Sequence, residues 1–128
     1  MHRAGLAIGL AAILTACSGP VATRDVAGIY TGTLGDGEAY RLEMGEDALY
    51  RFCRAGNAQC SPHEDRGRYH VVRLGAKSLI EFSLLCITFE NECMNYEADV
   101  RRSAGGAVEI TFVDHGGASR VFRKSSAG

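Results

Sequence analysis

Residues 38–54, EAYRLEMGEDALYRFCR, contain the pattern that decides the fold. Tyr40, Leu42 and Met44 alternate with charged residues, which is the two-residue period of a half-buried strand. A Gly-Glu-Asp turn at positions 45–47 follows, and a second alternating pattern begins directly after it. The stretch therefore predicts an antiparallel hairpin with one apolar face and one solvent-facing face.

Similar patterns continue along the rest of the chain. Strand-like segments follow one another from position 26 to position 124, separated by turns rich in Gly, Asp and Ser. No segment has a convincing helical period. The predicted strands are 26–34, 38–44, 48–54, 67–74, 78–85, 96–102, 107–114 and 119–124.

This strand content predicts an all-β fold, a small eight-stranded antiparallel meander barrel. Closure is favoured because it removes the exposed edges of about eight short strands. The interior of such a barrel is either filled by side chains or holds one small ligand. A two-sheet β-sandwich is the alternative. We expect the tyrosines, about one per strand, to lie in the core or at its rims: Tyr30, Tyr40, Tyr50, Tyr69 and Tyr96.

The first 16 residues have the pattern of an export signal. A short basic head precedes an apolar stretch of about a dozen residues, less than the roughly 20 that a membrane-spanning helix needs. Leu14-Thr15-Ala16-Cys17 then resembles the lipobox of bacterial lipoproteins. The resemblance implies cleavage before Cys17, a diacylglycerol on its sulfur and a fatty acid such as palmitate on its amino group. Ser18, rather than Asp, implies an outer-membrane lipoprotein facing the periplasm.

These features divide the chain into four parts. Residues 1–16 are the expected lipoprotein signal peptide, and residues 17–25 are the expected lipidated tether. A single β-barrel domain is expected over 26–124, and residues 125–128 are expected to fray.

Segments 28–34, 40–44 and 47–52 together resemble the N-terminal barrel of the copper-homeostasis and envelope-stress lipoproteins, and other lipocalin-like envelope barrels. The resemblance implies the fold. That family carries a Cys-x-x-Cys after the first strand, where this chain has Gly-Asp-Gly-Glu at positions 35–38, so no copper site is carried over.

Besides Cys17, the chain has Cys53, Cys60, Cys86 and Cys93 in two Cys-x6-Cys spacings. An even number of cysteines in an exported chain predicts disulfides. Local pairing, in which Cys53 bonds to Cys60 and Cys86 bonds to Cys93, is favoured over the two pairings that join the loops. A thiolate metal site is not expected, because zinc ligands are usually spaced two to four residues apart.

In an up-and-down barrel, the connections after strands one, three, five and seven share one end. Both long cysteine loops fall there, and long loops frequently carry binding residues. The first strand begins at the other end, so the loops are expected to point away from the membrane. The candidate binding residues are Asp36, Glu38, Arg54, Asn57, His63, Glu64, Asp65, Glu90, Glu92, Asp114 and His115.

Composition and motifs narrow the function. With 14 Lys and Arg against 15 Asp and Glu, the chain lacks the basic excess of a nucleic-acid-binding protein. It carries no hydrolase elbow, phosphate loop or zinc-protease motif, so we expect no enzyme and no cofactor. Segment 90–99 is acidic, whereas Arg and Lys gather near 101–102 and 120–124. An acidic rim would dock a basic partner, and the basic end would face anionic head groups.

The sequence therefore predicts a monomeric, non-enzymatic lipoprotein that presents rigid loops to a periplasmic protein, for example as an inhibitor or immunity factor. The alternative is a lipocalin-like carrier of a small apolar ligand or a metal. A hollow interior would favour the carrier, and a filled interior would favour the docking module.

Overall fold

A computed structural model describes residues 21–35, 37–56, 65–85, 94–113 and 117–125 of the chain. The described part holds one short helix and eight strands in an all-β arrangement. The elements are α1 (Thr23–Val26), β1 (Gly28–Thr33), β2 (Ala39–Met44), β3 (Leu49–Arg54), β4 (Asp65–Leu74), β5 (Lys77–Leu85), β6 (Met94–Arg102), β7 (Val108–Val113) and β8 (Ser119–Lys124).

The strands form one closed barrel in chain order, and β1 pairs with β8 to complete it. Every neighbouring pair is antiparallel. The predicted meander barrel is thus confirmed, and the sandwich alternative is wrong.

The hairpin at 38–54 forms as its pattern predicts. Leu42 lies opposite Phe52 and Met44 opposite Tyr50, and all four side chains are buried. The turn is closed by the Gly45 N–H, which donates to the Leu49 carbonyl at 2.8 Å. One apolar face of the hairpin therefore lines the barrel interior.

Aromatic rings fill the described part of this interior. The Phe112 ring centroid lies 5.9 Å from that of Phe52, 5.6 Å from Phe82, 5.2 Å from Phe122 and 5.6 Å from Tyr96. The contacts with Phe52 and Phe122 are edge-to-face and the contact with Tyr96 is stacked, and edge-to-face and offset-stacked arrangements are the preferred geometries of ring pairs. Four of the five tyrosines are buried as expected, and the fifth, Tyr96, is partly buried against the core.

The structure corrects the expected tether at its C-terminal side. Val21 and Val26 are buried in the core, and Val26 is the last residue of α1. The Tyr30 hydroxyl donates to the Val26 carbonyl at 2.8 Å. Residues 21–25, expected as free tether, are thus folded onto the barrel, and β1 begins at Gly28 rather than at 26. No helix in the described part of the chain is long and apolar enough to cross a bilayer.

Candidate functional site

The meander gives the barrel two ends that differ in the connections they carry. The connections after β1, β3, β5 and β7 leave from one end, which we call the loop end. The chain enters at the other end through α1, which we call the N-terminal end. The sequence-based placement of the long connections is therefore confirmed by the positions of the strand ends that flank them.

Three of the candidate loop residues belong to the described chain. Glu38 and Arg54 form an ion pair of 2.6 Å at the loop end, where both side chains are more than half exposed. Exposed pairs of this kind contribute about 0–1 kcal/mol. Asp65 is the first residue of β4. The remaining candidates, together with the lipidation residue and three of the cysteines, lie outside the described residues: Cys17, Asp36, Asn57, Cys60, His63, Glu64, Cys86, Glu90, Glu92, Cys93, Asp114 and His115.

Cys53 is fully buried although it lies on the outward-facing side of β3. Its register partner is Arg41, on the outer side of β2, and its neighbour Phe52 points into the core. The predicted disulfide pairing stays a prediction, because the other three cysteines of the two spacings lie outside the described residues.

A bulge interrupts β5 close to the loop end. The pairing of β5 with β6 shifts register between Phe82 and Leu85, and Leu84 takes a φ of 50°. This is the left-handed region, which is costly for a branched side chain and is frequently retained at functional positions. Leu84 is 60% exposed. The bulge thus turns Leu84 to solvent although its neighbour Leu85 is fully buried.

Side-chain bonds replace the backbone ladder on the β4 side of this bulge. The last β4–β5 register pair is Tyr69 with Phe82. Beyond it, the Arg68 N–H donates to Ser83 Oγ at 2.9 Å, and Ser83 Oγ donates to the Arg68 carbonyl at 3.2 Å. The Tyr50 hydroxyl donates to the Ser83 carbonyl, which holds the bulge from inside the barrel.

Side-chain hydrogen bonds also replace the backbone ladder on the β7 side of the β5–β6 hairpin. The last β6–β7 register pair towards the loop end is Asp99 with Thr111. The Tyr96 hydroxyl then accepts from the Val113 N–H at 2.6 Å and donates to the Val113 carbonyl at 2.8 Å. The part of the β5–β6 hairpin nearest the loop end is therefore joined to both neighbouring strands through side chains.

A groove of about 290 Å³ lies on the outer surface beside this bulge. Tyr96 supplies most of its apolar part, the almost completely buried Phe82 borders it from the core, and polar side chains supply the rest. Its full lining is Arg68, His70, Glu81, Phe82, Ser83, Asn95, Tyr96 and Glu97.

Two carboxylates, Glu81 and Glu97, line the groove together with Arg68 and His70, and Asp99 follows Glu97 on the same outer face of β6. Glu81 lies directly opposite Glu97 across the β5–β6 pair, an arrangement in which like charges repel. His70 Nε2 lies 3.0 Å from a Glu81 oxygen and relieves this repulsion when protonated. Glu97 and Asp99 form no ion pair with any described residue, and both are exposed.

The chemistry available at this groove is electrostatic and hydrogen bonding. Within the described ranges, no three His, Cys, Asp or Glu side chains are placed to hold a metal ion. Burial raises the pKa of the Tyr30 and Tyr69 hydroxyls, but both belong to the packed interior and not to the groove.

Sequence reasoning placed the binding residues in the loops and missed most of the groove. It noted the acidic segment around Glu97 and Asp99, but it did not single out Arg68 or Ser83. The available signal was the adjacent pair Leu84 and Leu85, which breaks the two-residue period of β5.

No protein-family model, characterised protein sequence or solved structure matches this chain. The class of protein is therefore defined by the fold and the groove alone. It is a small β-barrel with a ring-filled interior, an outer groove in which two facing glutamates lie beside an arginine and a histidine, and a loop end opposite its chain entry.

Proposed function

We propose that this protein is a non-enzymatic, lipid-anchored envelope protein that docks a basic protein at the groove and the adjoining loop end. The acidic row formed by Glu81, Glu97 and Asp99 carries the proposal. An inhibitor or an immunity factor for a cationic enzyme or toxin is the kind of protein that has this task.

The filled interior favours a protein-docking function over the carriage of a small ligand. A carrier needs an internal volume of about 300 Å³ or more for a small ligand. In the described part of the barrel, rings and aliphatic side chains occupy that space, and residues such as Phe52 and Phe122 are completely buried. Recognition is therefore assigned to the outer surface.

The charge arrangement supports a basic partner. Glu81 and Glu97 face each other across two strands, so a cationic side chain placed between them is attracted by both and removes their mutual repulsion. Complementary charge of this kind raises association rates and selects against acidic partners. Two exposed apolar side chains near the loop end, Leu84 and Val113, supply apolar contacts for the partner.

Acylation at Cys17 supports the proposed orientation. Cys17 precedes the buried residue Val21 by four positions, which extended chain spans in at most about 14 Å. Two or more acyl chains hold a protein stably on a bilayer. The N-terminal end then lies close to the outer membrane and the loop end points into the periplasm. Cys17→Ala should release the protein from the membrane fraction, whereas retention there would contradict the proposal.

The proposal includes two disulfides that brace the loop end, preferentially Cys53 with Cys60 and Cys86 with Cys93. Loops of this size gain roughly 2–3 kcal/mol each from a cross-link. Mass spectrometry of the unreduced protein should find no free thiol on Cys53, Cys60, Cys86 or Cys93. Two free thiols would reopen the possibility of a thiolate metal site.

Capture of the partner with matched variants tests the docking function. The mature protein, purified in detergent with a C-terminal tag, should retain one stoichiometric basic protein from an envelope extract. Glu97→Lys should abolish this capture. Glu46→Lys makes the same charge change in the exposed β2–β3 turn at the opposite end and should leave capture intact. Equal capture by both variants, or a copurified small molecule without a protein, would refute the proposal.

A further inference from the structure

The hairpin of β4 and β5 has an apolar tip at the N-terminal end. The two strands have 10 and 9 residues, against 6 each in β2 and β3, and they pair as far as Leu74 with Lys77. Gly75 turns the chain with a φ of 62°. Leu74 is 56% exposed, and Arg73 and Lys77 beside it are also exposed. The tip thus presents an apolar residue between two cations.

Further cations lie at the same end of the barrel. β6 ends there with Arg101 and Arg102, β8 ends there with Lys124, and α1 carries Arg24. Two of these cations are paired with carboxylates, Arg102 with Asp25 of α1 at 3.2 Å and Arg101 with Glu109 at 3.7 Å. The exposed carboxylates of the β2–β3 turn, at positions 46 and 47, are not part of the β4–β5 tip.

We infer that the β4–β5 tip is a membrane-contact surface. Leu74 enters the boundary between head groups and acyl chains, and Arg73 and Lys77 contact the phosphates of anionic phospholipids. An exposed apolar residue next to the turn, with cations beside it, is an arrangement that favours residence at a bilayer interface. The inference rests on the proposed anchoring at Cys17.

The short link to the anchor makes so small a contact effective. A single leucine and two cations bind a bilayer weakly by themselves. When the chain entry is held within about 14 Å of the lipid, the contact becomes intramolecular and its effective concentration is high. The anchor supplies proximity, and the tip fixes which face of the barrel rests on the membrane.

The chain contains no Trp, so a single introduced Trp reports on its own surroundings. Leu74→Trp places the probe at the tip, and Val113→Trp places it at the loop end, where the native residue is 46% exposed. Both variants, as mature acylated protein from the membrane fraction, are reconstituted into vesicles of phosphatidylethanolamine and phosphatidylglycerol. Lipids brominated on their acyl chains then quench any Trp that reaches them.

We expect brominated lipid to quench the probe at position 74 and to leave the probe at position 113 unchanged. Arg73→Glu combined with Lys77→Glu should reduce the quenching at position 74 while the protein stays anchored. Equal quenching of both probes, or none at position 74 in anchored protein, overturns the contact and leaves the anchoring intact. Absence of the protein from the membrane fraction overturns the anchoring and this inference with it.

Discussion

Replacing Ser83 by Ala tests whether side chains hold the groove together. The substitution removes one acceptor for the Arg68 N–H and one donor to the Arg68 carbonyl, at 2.9 and 3.2 Å. A hydrogen bond contributes a net 0.5–1.5 kcal/mol or so, and water can reach this partly exposed site, so we expect a total loss of about 1–2 kcal/mol. The bond from Tyr50 to the Ser83 carbonyl is retained in the variant.

The loss of stability in Ser83→Ala should appear in the global unfolding of the protein and also in local opening near Arg68. Urea unfolding measures the global change, and amide hydrogen exchange measures opening at Arg68. Because 1.4 kcal/mol is a factor of ten, the Arg68 amide should exchange about tenfold faster in Ser83→Ala. Ser119→Ala is the matched control, since Ser119 is exposed on β8 and its hydroxyl has no hydrogen-bond partner in the described ranges. Unchanged exchange at Arg68 would refute the argument that Ser83 replaces the ladder.

Three further changes probe the barrel itself. Phe112→Ala removes the ring that contacts four others and should destabilise the fold by about 3–5 kcal/mol in urea unfolding. Gly32→Ala would place Cβ 2.6 Å from the Phe122 ring and should cost about 1–3 kcal/mol, whereas Gly56→Ala, with open space around it, should be near neutral. The Ala22 N–H donates a hydrogen bond to the Asp25 carboxylate, and this bond, aided by nearby cations, lowers the pKa of Asp25 below its ordinary 3.8. Its contribution is therefore complete above pH 3.8 and is lost as the pH falls through the lowered pKa, so Asp25→Asn should weaken the protein at pH 7 and match wild type in strong acid.

Alternation was sufficient to predict most of the barrel. Tyr40, Leu42 and Met44 share a face because side chains alternate along a strand, and that face must be buried. Similar patterns gave all eight strands and the end at which the long connections lie. These features depend on local sequence, which is why a single chain was enough to derive them.

The parts that could not be predicted depend on contacts between distant segments. α1 has four residues and no helical period, and it forms because Val21 and Val26 close the barrel from its N-terminal end. The bulge depends on Ser83 bonding to a residue 15 positions away and on Tyr50 from a third strand. No pattern within β5 specifies either partner.

The filled interior also determines how the two ends can work together. Rings such as Phe52 and Phe112 are in direct contact and completely or almost completely buried, and such interiors are as dense as organic crystals. The barrel is therefore a rigid spacer between the β4–β5 tip and the groove. If the tip rests on the bilayer, the spacer holds the acidic row at a fixed height and orientation. A basic partner would then meet a preorganised surface, which lowers the ordering cost of binding.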